Sequence, residues 1–234
     1  MRILSALRFD ISFQFRHGFY YAYIIVSLIY IAGLRSLPAG TGEYLSAPVL
    51  YSDPAVLGFF FIGGIVLLEK GQNILESLFV TPFRVHEYIL SKAASLTIIS
   101  VVSSFAIIIF SFGAAFNPLP LLLGIVTGSL FFTLLGLGVA VRSKTINGFL
   151  LISPLYTIAF FLPFLDYFNI FKTSLFIFIP GNASLMLIRA SFTEIDALGT
   201  VSQAAQMAFW ILPAYLWAHK SFYNYIVLKT GGGK

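Results

Sequence analysis

No cysteine occurs in the 234 residues, which excludes disulfides, thiolate nucleophiles and Cys-based metal sites. Charge is also scarce: Asp, Glu, Lys and Arg together make up 10% of the chain. The three histidines, His17, His86 and His219, all lie at the edges of apolar runs. His86-Glu87 opens like a zinc motif, but Leu90 stands where the second histidine belongs, so two ligands on one helical face are missing. No G-x-S-x-G nucleophile elbow is present, and the terminal GGGK lacks the earlier glycine and the Ser/Thr of a phosphate-binding loop. These gaps argue against hydrolysis by the chain itself and against its own nucleotide site.

What remains is overwhelmingly apolar. Hydrophobic residues make up 59% of the sequence, and the mean hydropathy is +0.93. Several runs are long enough to cross a hydrocarbon core of roughly 30 Å. The pattern predicts an all-α polytopic membrane protein of one domain, with six transmembrane helices near 18–37, 54–68, 93–116, 119–141, 148–165 and 201–219. A net charge of +5 would point to nucleic acid in a soluble chain, but here the basic residues flank apolar runs, where membrane orientation explains them. With the N-terminus inside, Arg2, Arg8, Arg16, Lys70, Arg84, Lys92, Arg142, Lys144, Lys220, Lys229 and Lys234 fall on the cytoplasmic side, and only Arg35, Lys172 and Arg189 fall outside. That asymmetry places both termini in the cytoplasm. Residues up to Arg16 lack the apolar core and cleavage site of a signal peptide, so the first span serves as its own insertion signal.

Two cytoplasmic elements are amphipathic. In residues 1–17, Ile3, Leu4, Leu7, Ile11 and Phe15 share a helical stripe, with Phe9, Phe13 and Gln14 off the pattern. This predicts a helix lying in the interface, or an inward extension of the first span. In the 70–92 segment, Ile74, Leu75, Leu78 and Phe79 cluster on one face, while Glu69, Asn73 and Glu76 form a polar stripe on the other. Thr81-Pro82 then breaks the helix. The result is a helical elbow at the membrane surface, or a solvated connector with caps.

Between spans five and six, residues 170–199 are apolar but interrupted by Pro180, Gly181 and Asn182. Neither piece is long enough to span, so they are expected to form a re-entrant helical pair, or an apolar outer loop packed on the bundle. Asp53, Asp166, Arg35, Glu69, Lys70, Arg142 and Lys220 are read at span ends, as caps and anchors, and none near mid-membrane. Ion-driven transport normally retains such charges within its spans. Gly124 and Gly128 form a G-x-x-x-G pattern and Gly63-Gly64 a pair, allowing close helix packing within the chain or across a dimer. Most of the 26 phenylalanines are expected to be core or lipid-facing.

The run LRFDISFQFRHGFYY at 7–21, the block of Glu69, Gly71, Leu78, Thr81-Pro82, Glu87 and Lys92, and Pro180-Gly181-Asn182 ahead of Arg189 together resemble the permease subunit of an ABC-2 type transporter. Length and layout are similar to the small permeases of fluoroquinolone or multidrug export. The resemblance implies a half-transporter that pairs with a second permease, identical or related. It also implies a separate ABC ATPase subunit that holds the ATP and Mg, with no cofactor in this chain. By resemblance, the coupling contact maps onto Glu69, Gln72, Asn73, Leu75, Glu76, Leu78, Phe79, Thr81 and Pro82, and an outer gate onto Pro180, Asn182 and Arg189. It further implies the inner membrane of a bacterium or archaeon, contact with the lipid bilayer, no nucleic acid, and export of a small hydrophobic or amphiphilic, drug-like substrate. A same-architecture permease for lipid, peptide, sodium or haem-maturation cargo, or a six-span membrane enzyme or assembly factor, are the alternatives.

Overall fold

The computed structural model describes residues 2–38, 40–80, 83–193 and 197–228. It is helical throughout, without strands among the described residues. Helices α1 (Arg2–Arg16) and α2 (Phe19–Arg35) meet at a 67° bend. Gly18 makes the corner with φ 84°, a left-handed conformation that glycine adopts without strain. Next come α3 (Thr41–Ser52), a π-helical turn (Asp53–Gly58), α4 (Phe59–Gly71), α5 (Ile74–Val80), α6 (Val85–Phe112) and α7 (Pro118–Arg142). The chain closes with α8 (Ile146–Phe161), α9 (Pro163–Tyr167), a 3-10 turn (Ser174–Phe178), α10 (Pro180–Arg189), α11 (Ala197–Phe222) and a second π turn (Tyr223–Val227).

Three helical stretches, Thr41–Gly71, Val85–Phe112 and Pro118–Arg142, are long and apolar enough to cross a membrane, and a fourth if α1 and α2 count as one bent span. The protein is therefore a membrane protein. The remaining predicted spans correspond to shorter or more polar helices: α8 has 16 residues, and α11 carries Gln203, Gln206 and His219.

The second expected span, 54–68, starts too late. Its helix begins at Thr41 and runs 31 residues to Gly71. The helix continues through Pro54 by way of the π-helical turn Asp53–Gly58, in whose first positions the proline's missing N–H is tolerated.

Helix α7 is the axis, packing against α4, α6, α10 and α11. Its glycines permit the approach. A Cβ on Gly136 would lie 2.5 Å from the Phe59 carbonyl oxygen on α4, and one on Gly138 would lie 2.1 Å from the Trp217 ring of α11. A Cβ on Gly124 would meet Ile188 of α10 at 2.9 Å. The first glycine of the G-x-x-x-G pattern therefore serves packing within the chain. Outward, α2 presents Ile24, Ile25, Leu28 and Ile29, all exposed.

Candidate functional site: a buried ion cluster beneath a helical elbow

Helix α6 starts with Glu87 accepting the Arg84 backbone N–H at 2.8 Å, which caps the first turn. One and two turns along, Tyr88, Lys92 and Ser95 face inward at helical spacing, and each bonds a different element. The Tyr88 hydroxyl donates to Glu69 Oε2 of α4 at 2.6 Å. Lys92 Nζ donates to Glu69 Oε1 and, at 2.5 Å, to Asp10 Oδ1 of α1. Gln14 Nε2 of α1 donates to Ser95 Oγ at 2.7 Å. The aromatic rings of Phe13 and Tyr88 lie 5.5 and 5.2 Å from the ammonium, completing its shell. Lys92, Glu69, Asp10 and Gln14 are all buried.

One cation thus serves two carboxyl groups from separate helices in a site closed to water. Coulomb attraction there is strong, but so is the cost of desolvating three ionisable groups. Such a cluster contributes less net stability than its distances imply. Its effect is to fix register, since only one arrangement of α1, α4 and α6 satisfies Lys92. The Asp10 carboxyl group also interacts with the Ser91 hydroxyl, and Gln14 Oε1 has no partner among the described residues.

This cluster corrects two expectations. Glu69 was read on a polar stripe with Asn73 and Glu76, yet it is fully buried. The stripe assumed one continuous helix; Gln72 leaves the helical conformation and Asn73 turns left-handed at φ 56°, so residues on either side do not share a face. In α1, the off-pattern residues Phe13 and Gln14, with Asp10, are the buried ones, while Ile3, Leu4 and Phe15 of the apolar stripe are exposed. Asp10, Gln14, Tyr88 and Ser95 were missed as site residues. The readable signal was a lone acid in an otherwise basic amphipathic helix, which a helix exposing only its polar face has no need of.

Directly after the cluster the chain leaves α4. Lys70 Nζ donates to the carbonyls of Val141 at 3.5 Å and Ser143 at 3.0 Å, pinning this end of α4 to the end of α7. There Arg142 bonds Ser221 Oγ at 2.9 Å and lies 4.5 Å from the Trp217 ring. Gly71, Gln72 and Asn73 are exposed, and α5 follows. Leu75 is buried, Ile74 and Leu78 pack partly against the core, and Ser77 is exposed. Thr81, Pro82 and the side chains of Glu76 and Phe79 lie outside the described residues.

On the far side, Pro180 is the first residue of α10, and Pro180 and Asn182 are buried. Gly181 sits against the Phe160 carbonyl and the Tyr51 hydroxyl, which donates to that carbonyl at 2.7 Å. Asn182 Oδ1 has no partner among the described residues. Arg189 is partly exposed, with its guanidinium 5.4 Å from the Tyr167 ring. Tyr167 stacks on Tyr44 of α3 at 4.8 Å, and its hydroxyl donates to the Tyr44 carbonyl at 2.5 Å while Tyr44 donates back to the Tyr167 carbonyl. Pro180, Asn182 and Arg189, the residues expected at an outer gate, thus belong to one packed assembly joining α3, α8, α9 and α10.

A further buried acid departs from the reading of acidic residues as span-end caps. Asp53 lies inside the 31-residue helix, in its π turn, with 1% exposure. Its carboxyl group interacts with the Ser104 hydroxyl of α6, without a well-formed hydrogen bond, and Thr133 Oγ1 has no partner among the described residues.

The class defined by these features is an all-helical membrane protein whose one face carries a charge-locked helical elbow. Comparison with known families makes this specific: residues 1–230 match the model of the fluoroquinolones export permease protein family, and the chain belongs to that family. It is 30% identical over 197 residues to the fluoroquinolones export permease protein of Mycobacterium tuberculosis, in strains CDC 1551 / Oshkosh and H37Rv, with 83% of this chain and 83% of each relative covered.

Proposed function

We propose that this chain is the membrane half of an ABC-2 type exporter, built as a single domain of six spans, with both termini in the cytoplasm of a bacterial or archaeal cell. In this reading α1 lies in the inner interface and residues 170–199 form the re-entrant outer pair. A second permease, identical or related, completes the pathway, and a separate ATPase subunit supplies ATP and Mg. The cargo is a small hydrophobic or amphiphilic compound, in keeping with the fluoroquinolones named for the relatives.

The elbow carries the reading. Helix α5 is anchored by Leu75 and presents Ser77 to solvent, with Gln72 and Asn73 of the preceding turn exposed beside it, a shape suited to docking on another protein. It follows α4 after the two-residue turn Gln72-Asn73, and near that end of α4 Glu69 and Lys70 are fixed to α1, α6 and α7. A push on α5 therefore reaches four helices without passing through a flexible loop. Closure of the ATPase pair would tilt these helices together and open the far side around Arg189 and Tyr167.

Because the chain has no cysteine, Ser77→Cys provides a unique attachment point for a photo-crosslinker in native membranes. Mass spectrometry should find a nucleotide-binding subunit in the adduct. Lipid alone would remove α5 from the coupling role. In the same system, Leu78→Asp and Glu76→Arg should insert normally but abolish drug-stimulated ATP hydrolysis; full stimulation in both would reject the coupling assignment.

A further inference from the structure

Between α2 and α6 runs a groove of about 530 Å³, open to the side. Its walls are apolar and exposed, with Leu28 at 59%, Val102 at 64% and Phe110 at 62%. Its floor is not apolar: Tyr23, Ser27 and Ser103 line it. Arg35, in the last turn of α2, is the one charged residue among its described lining.

The floor's protons can be counted. Ser27 Oγ donates its single proton to the Tyr23 carbonyl at 2.7 Å. In the Ser27–Ser103 contact at 2.8 Å, Ser103 must then be the donor. Both serine protons are consumed within the protein, and the buried Tyr23 hydroxyl is engaged with Ser100 Oγ at 3.1 Å, so the unshared lone pairs of the floor are those of Ser103 and Ser27, which line the groove. The floor is therefore an acceptor surface, which suits a ligand carrying N–H or O–H donors and gives nothing to an acyl chain. From Ser27 to Arg35 is eight residues of helix, or about 12 Å along the axis. The volume falls within the range of roughly 300–1,000 Å³ usual for drug-sized ligands.

We propose that the α2/α6 groove binds an amphiphile with an apolar body, a hydrogen-bond donor along one edge and an acidic group about 10 Å away, the acid pairing with Arg35. The occupant is an exported small molecule rather than an annular phospholipid. An anionic phospholipid would satisfy Arg35, but its acyl chains would leave the Ser27 and Ser103 lone pairs unmatched in an apolar slot. This assignment names the site and chemistry of the cargo in the export reading above, and rests on it. The groove lies on the face of α2 that meets α6, separate from the Lys92 cluster and from α5.

Norfloxacin, which carries both a carboxylate and an amine, is a suitable probe, with its carboxylate methyl ester as the control. Binding to the purified full chain in phosphatidylcholine nanodiscs is read by equilibrium dialysis, so no ATPase is required. Arg35→Gln should weaken norfloxacin binding by about tenfold or more, as expected for loss of a charge-assisted hydrogen bond. Arg35→Lys should retain most of the affinity, and the ester should be indifferent to either change. Val102→Trp, which fills the groove from its exposed wall, should abolish binding of both compounds without lowering the unfolding temperature. Equal affinity across these variants, or no saturable binding to the wild type, would overturn the proposal. So would displacement of norfloxacin by phosphatidylglycerol with the same Arg35 dependence, which would assign the groove to lipid. Capture of an ATPase at Ser77 alongside any of those results would leave the export reading standing and reject the groove alone.

Discussion

Lys92 on α6 meets Asp10 on α1 at 2.5 Å across 82 residues of sequence, while its other contact, Glu69, belongs to α4. A single ammonium therefore joins the N-terminal helix, the helix leading to the elbow and the helix leaving it.

Removing that ammonium should be far worse than removing the whole cluster. Lys92→Met leaves two carboxyl groups buried together without a cation, a loss of about 3–5 kcal/mol for a broken buried pair. The triple variant Asp10→Asn, Glu69→Gln, Lys92→Met is expected to recover most of this loss. Thermal unfolding followed by fluorescence-detected size exclusion reads both. Equal loss in the single and triple variants would show that shape, not charge, holds the site.

Asp53 is expected to behave in the opposite way. Its buried carboxyl group has no well-formed hydrogen bond and only the Ser104 hydroxyl beside it, so Asp53→Leu, of similar size, should leave the unfolding temperature unchanged or raise it. Export should fall if the acid is retained for transport, since an ionisable group inside a span is costly and usually functional. A clear drop in thermal stability would instead mean that Asp53 supports the fold.

At the α7/α11 contact, Gly138→Val forces a side chain into the Trp217 ring and should cost about 1–3 kcal/mol by overpacking. Trp217→Leu in the same chain should relieve part of that cost, so that the pair is less destabilised than the sum of the single changes. Simple additivity in thermal unfolding would contradict the contact.

Arg189 and Lys172 are both basic and both assigned to the outer side, but only Arg189 faces a ring, that of Tyr167, while Lys172 is exposed. Arg189→Ala should therefore reduce drug export in intact cells more than Lys172→Ala. Tyr167→Phe, which keeps the ring and removes the hydroxyl bond to Tyr44, should fall between them. Equal and negligible effects would detach this assembly from gating.

The helical membrane class and the approximate places of its helices were legible because apolar run length is a local property of the chain. A short helix around Leu75 and Leu78 was legible too, because their spacing leaves a mark within a single turn, whereas the break expected at Thr81-Pro82 lies outside the described residues. Glu69 was placed on the wrong face because a left-handed turn at Asn73 is a backbone choice that periodicity, which assumes a continuous helix, does not register. Phe13 and Gln14 looked misplaced for a similar reason: the rule sought an apolar stripe, and this helix buries a polar one.

The sequence by itself determined that the chain enters a membrane as helices, that it contains no cysteine chemistry, and where proline and glycine interrupt the apolar runs. Only the tertiary structure decided which charges are anchors and which are bonds. Asp10, Glu69 and Lys92 are scattered over 83 positions, and nothing local distinguishes them from interfacial residues. Their pairing is settled by the packing of α1 and α4 against α6, which excludes water and leaves one ammonium shared between two carboxyl groups.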